Sequence, residues 1–115
     1  MRKYKTMILC SISSSFKIGE YQTPCFANEI KVGSVISLPL ALNAWRDDGR
    51  ESLFNSGTYL VDTVGDIEEK LIFEISPYTI KGEKTLEFNT NPCSINKVEN
   101  NLMNKIKEEI SSLRR

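Results

Sequence analysis

Thiols are the most reactive side chains in this 115-residue chain, and it has three: Cys10, Cys25 and Cys93. A nucleophilic cysteine needs a base or cationic neighbours to hold it as thiolate, yet the chain contains no histidine. The same absence removes the commonest zinc ligand and the usual charge switch near neutral pH. An odd number of widely spaced cysteines fits neither a disulfide framework nor a zinc site. It suits a reducing compartment, with a Cys10–Cys25 or Cys10–Cys93 bridge as the alternative. Cys10 closes the apolar run Met7-Ile8-Leu9-Cys10 and reads as a core residue. Cys25 and Cys93 each flank a proline and read as semi-buried thiols in turns.

Carboxylates are the second source of chemistry. Asp47, Asp48 and Glu51 offer oxygen ligands of the kind that Mg²⁺ and Ca²⁺ take. Their spacing lacks the alternating acid pattern of a calcium loop, and Arg46 and Arg50 interleave with them, as does the distant Arg115 if it reaches them. A solvated charged loop is the expected state, and Asp66-Ile67-Glu68-Glu69 reads the same way. No phosphate-binding glycine loop, dinucleotide fingerprint or serine nucleophile elbow is present. The sequence therefore implies no catalytic residue, no metal and no cofactor.

Recognition chemistry is better represented. The stretch 40–54 is irregular, and its single tryptophan stands among charges: Ala44-Trp45-Arg46-Asp47-Asp48-Gly49-Arg50. Trp and Arg are enriched at interface hot spots, and a long loop in a small domain is often functional. Trp45, Arg46, Asp47, Asp48 and Arg50 are accordingly the expected binding residues. The competing expectation is that Trp45 folds back to cap a barrel.

Charge argues about partners. Fifteen Lys and Arg balance fifteen Asp and Glu, a formal net charge of zero, where a general nucleic-acid binder shows a basic excess. The first 35 residues do carry Arg2, Lys3, Lys5, Lys17 and Lys31 against Glu20 and Glu29. With Phe16, Tyr21, Phe26, Trp45, Tyr59 and Tyr78 they sketch a groove for single strands. Most of those aromatics are expected in the core.

The elements that position these groups are mostly strands. Residues 4–13 alternate Tyr4, Thr6, Ile8, Cys10 and Ile12 against Met7 and Leu9. Apolar residues on both faces predict a central strand. Their brevity excludes the apolar core of a signal peptide, and no run approaches a membrane span. Further strands are expected at 16–21, with Gly19 as a bulge, at 29–38, at 58–64 and at 69–76. Gly65-Asp66 is the expected turn between the last two, and 78–89 reads as a hairpin. Leu40 to Trp45 suggests one or two helical turns, followed by an Asp48-Gly49 turn. From Ser94 the period changes: Ile95, Val98, Leu102, Ile106, Ile110 and Leu113 make one helical stripe, with Asn96 and Glu99 as its capped start.

These patterns predict one α+β domain over 1–115: a small curved antiparallel sheet or SH3/OB-like barrel (3–90) with a C-terminal amphipathic helix (94–114). The helix is expected to pack on the open end of the sheet or to pair with a second copy, so a monomer and a homodimer both fit. The function expected is a small cytoplasmic protein-binding module without enzymatic activity, acting through the 40–54 loop. The small size and Asn/Lys/Ile-rich composition suit an inhibitor encoded by a phage or mobile element. The alternative is a single-strand nucleic-acid binder.

Overall fold

The computed structural model describes residues 4–13, 15–24, 27–79, 85–87 and 97–114. The fold is α+β: a curled mixed sheet forming a half-barrel, with one C-terminal helix. In chain order the strands are β1 (Thr6–Ser11), β2 (Lys17–Gln22), β3 (Val35–Leu38) and β4 (Leu42–Arg46). They continue with β5 (Glu51–Phe54), β6 (Gly57–Ile67), β7 (Lys70–Pro77) and β8 (Leu86–Glu87), and α1 spans Asn100–Leu113. Their spatial order is β5-β4-β2-β1-β7-β6-β3-β8. Most neighbours are antiparallel, as read from the sequence, but β1·β7 and β3·β8 run parallel.

Both faces of β1 are buried: Met7, Ile8, Leu9 and Cys10 are inaccessible to solvent. That is why the strand is apolar without alternation, and it lies inside the sheet. Met7 and Leu9 enter the inner core with Tyr21, Ile36, Leu38, Leu42, Ala44, Phe54, Phe73 and Ile75. Ile8 and Cys10 face the other way, joining Phe16, Ile18 and Ile72 beneath Val98, Met103, Ile106 and Ile110. Each such buried side chain contributes about 1.5–3 kcal/mol, so the helix is held by its own stripe. The stripe covers the outer face of β1, β2, β7 and β6, not the open end of the sheet, and is occupied within the chain.

Several local expectations change. The segment 40–45 is not helical. Leu42 and Ala44 point into the core while Asn43 and Trp45 alternate with them, which makes β4 the first arm of a hairpin with β5. The strand expected at 29–38 is confined to Val35–Leu38, because Ala27–Glu29 forms a single 3₁₀ turn and Gly33 adopts φ +92°. Val32 is consequently exposed. Gly19 makes no bulge: it pairs in register with Leu9. The irregularity lies instead in β6, between Val61 and Thr63. Leu86 pairs in parallel with Ile36, so 85–87 is not the return arm of a hairpin from 78. The helix begins at Asn100, with Glu99 at its cap in extended geometry and no side-chain cap bond. Residues Ile95 and Asn96, with Cys25, Cys93 and Phe26, lie outside the described residues.

The expected turn at Gly65-Asp66 falls within β6, and the chain reverses at Glu68-Glu69. Both glutamates have positive φ, 49° and 64°, the geometry of a two-residue hairpin turn that asparagine and glycine normally occupy. A left-handed non-glycine residue costs about 1–2 kcal/mol. Glu68 keeps a compensating contact, since Lys105 donates to its carboxylate at 3.0 Å, and that cation holds the carboxyl below its usual range. Glu69 is exposed and has no such support among the described residues. Glu69→Gly is therefore expected to raise the unfolding free energy by about 1 kcal/mol, measured by denaturant titration.

Candidate functional site

The β4–β5 hairpin gathers the five residues expected to bind. Its turn is built by the backbone: the Gly49 N–H donates to the Arg46 carbonyl at 2.9 Å and the Arg46 N–H to the Arg50 carbonyl at 2.8 Å. Gly49 sits at φ +85°, which is why the Asp-Gly pair marks the reversal. Asp48 locks the turn locally, its Oδ1 accepting the Arg50 N–H at 3.0 Å. Its other oxygen lies 3.8 Å from Arg46 Nη2 and 3.6 Å from Arg50 Nε. All three side chains are substantially exposed, so these ion pairs orient the arginines more than they stabilise the fold.

Asp47 does something different. It pairs with Lys107 of α1 at 3.3 Å. The same ammonium stands 4.8 Å from the centroid of the Phe16 ring, a cation–π geometry. The turn thus touches the helix through this exposed pair. Asp47 and Asp48 each meet a cation, and among the described residues no group of three acids, cysteines or histidines could hold a metal.

Register places Trp45. It stands opposite Ile18 on one side and Glu51 on the other, so it shares their face of the sheet. Ile18 belongs to the layer beneath the helix. Trp45 therefore lies on the helix-bearing face of the sheet and not over the barrel interior. It is half-buried and belongs to neither core. Leu53, opposite Asn43, is its diagonal neighbour on the same face and is 42% exposed. Trp45 and Leu53 form an apolar pair with Glu51 on the same face, while Arg46 and Arg50, one residue out of step in the alternation, flank the turn with Asp48. Leu53 was hidden in the sequence because it falls in a stretch that reads as loop. Lys107 was hidden because nothing local links a helix lysine to Asp47.

The remaining candidates are structural. Cys10 carries a free thiol in Sγ···O contact with the Phe73 carbonyl at 3.5 Å. Burial, with the Glu74 carboxylate adding to it, pushes the thiol well above its ordinary range, the opposite of what a nucleophile needs. Of the aromatics that sketched a nucleic-acid groove, Phe16 and Tyr21 are buried, and Tyr59 packs against the inner core. No protein-family model matches this chain, and no curated protein or solved structure matches it.

Proposed function

We propose that the chain is a protein-binding module, without catalytic activity of its own, that recognises a partner protein through the β4–β5 hairpin. The observation that carries this reading is the Trp45–Leu53 pair: a half-buried tryptophan beside an exposed leucine on one face of the hairpin, with Glu51 on the same face and two arginines at the adjoining turn. Tryptophan and arginine are the residue types enriched at interface hot spots. β5 also ends the sheet, so the surface lies at an edge, where partners dock readily. Inhibition of the partner, in the cytoplasm and by a protein of phage or mobile-element origin, is the role the small size and composition suit.

The test separates binding from folding. Trp45→Ala is expected to leave the melting temperature within a few degrees of the parent, because Trp45 lies outside both cores. It is expected to weaken the partner by about 30-fold or more, the scale of a hot-spot truncation. Thermal melting and affinity measurement on purified protein check both halves. Collapse of the fold, or unchanged affinity, removes the proposal.

A further inference from the structure

A second surface, at the rim of the half-barrel, shares Leu53 with the hairpin face and is otherwise built from different residues. The β1–β2 turn presents Ser11, Ser13, Ser15 and Lys17 toward Leu53, Phe54 and Asn55, with Tyr59 and Pro77 closing the far side. Together they enclose about 210 Å³, room for about seven waters by their share of liquid volume. Among the described residues the lining has a marked asymmetry: one ammonium, four hydroxyls and an amide, and no carboxylate. Lys17 Nζ donates to the Leu53 carbonyl at 3.3 Å, a neutral acceptor that leaves its charge uncompensated by any lining residue. The Ser13 hydroxyl donates to the Ser15 carbonyl at 3.2 Å, which braces the turn. Tyr59 donates to the Asn55 carbonyl at 2.7 Å. Phe54, Pro77 and the Tyr59 ring supply an apolar floor.

We infer that this rim pocket binds a carboxylate carried on a short apolar group, its charge on Lys17, its oxygens among the serine hydroxyls and its hydrocarbon on Phe54 and Pro77. A single lysine with hydroxyls matches a monoanion, whereas a phosphate group is typically met by several cations or a bidentate arginine. The apolar floor excludes a bare inorganic ion as the best fit. The carboxylate belongs to a small organic acid or to the free C-terminus of a peptide; the chemistry at Lys17 is the same. The site is independent of Trp45 and stands or falls without the hairpin proposal.

The test is titration of the isotopically labelled full chain, followed by amide NMR, with butyrate and benzoate as probes. Butanol, butylamine and inorganic phosphate are the controls. Saturable shifts at Ser11, Ser15, Lys17 and Asn55 are expected with the carboxylates alone, at an affinity on the order of millimolar for so few atoms. Lys17→Gln is expected to weaken them about tenfold or more, while Lys31→Gln, at an exposed turn position, changes nothing. A short peptide that shifts the same amides only when its C-terminus is free identifies a chain end as the source. Binding of the small acids without the peptide identifies a free acid, and either result supports the site. Absence of shifts with every carboxylate, shifts that survive Lys17→Gln, or a response to phosphate alone overturns it.

Discussion

Arg114→Ala is expected to lower the unfolding free energy by about 2–3 kcal/mol, a larger loss than any other surface arginine of this chain should show. The reason is the carboxylate beneath it. Glu74 lies in the middle of β7, on the face covered by α1, and is 1% exposed. Arg114 Nε donates to its Oε1 at 3.0 Å and Nη2 to its Oε2, a bidentate grip from the end of the helix. Thr63 adds a hydroxyl 3.4 Å from Oε1. Glu74 in turn holds the guanidinium firmly in its charged form, raising its pKa. Stripping the partner from a buried charge costs about 3–5 kcal/mol. The lower figure follows because the Arg114 side chain is 49% exposed, so water reaches the site once the side chain is removed. Denaturant unfolding measures the loss. The double change Glu74→Met with Arg114→Met should recover most of it, since both charges leave together. An Arg114→Ala protein as stable as the parent would contradict the grip.

The second large effect is Gly19→Ala, expected to cost about 2–3 kcal/mol through overpacking. Gly19 and Tyr21 share the inner face of β2, and the tyrosine ring folds back along the strand over the glycine. A Cβ at position 19 would overlap the Tyr21 hydroxyl oxygen and stand 2.5 Å from Cζ. The ring has no retreat: Tyr21 is fully buried and its hydroxyl donates to the Asn43 carbonyl of β4. A double-mutant cycle isolates the clash. With Tyr21→Leu already in place, Gly19→Ala should cost little more, giving a coupling energy of about 2 kcal/mol. A cost at position 19 that is the same in both backgrounds would show that the glycine serves something other than this ring. The result also bears on the hairpin, because the Tyr21–Asn43 bond joins β2 to the strand that carries Trp45.

These two contacts mark where sequence reasoning reaches its limit. The central strand was legible because Met7, Ile8, Leu9 and Cys10 leave no polar face, and the helix because one stripe keeps a constant period. Gly19 invited a bulge because the reason for it is a ring two residues away, and a side chain folding back on its own strand leaves no periodic trace. Glu68-Glu69 concealed a tight turn because neither residue favours positive φ; Gly65-Asp66 attracted the turn instead. The parallel pairing of β1 with β7 depends on the curl of the whole sheet, which no local pattern encodes. Glu74 looked like an ordinary polar position of an alternating strand, and its partner is 40 residues away.

For the candidate site the same division holds. The five residues at 45–50 were identified as a charged cluster around a tryptophan, and the Asp48-Gly49 reversal was read from its turn chemistry. Leu40, Ala41, Leu42 and Ala44 are good helix formers, so the local preference points away from a strand. Tertiary burial of Leu42 and Ala44 decided otherwise. Once β4 and β5 pair, Leu53 joins Trp45 on one face, and a loop becomes a surface with defined geometry. That step needs the register, which is why Leu53 escaped notice.

The central claim is that the outer face of the β4–β5 hairpin meets another protein. A photo-crosslinking amino acid placed at position 45 in the full chain, expressed in its native cells, tests this directly. One discrete adduct is the expected result, lost when Arg50→Glu is added and absent when the same group is placed at the exposed Val32. No adduct at position 45, or the same pattern of adducts from positions 45 and 32, would contradict it.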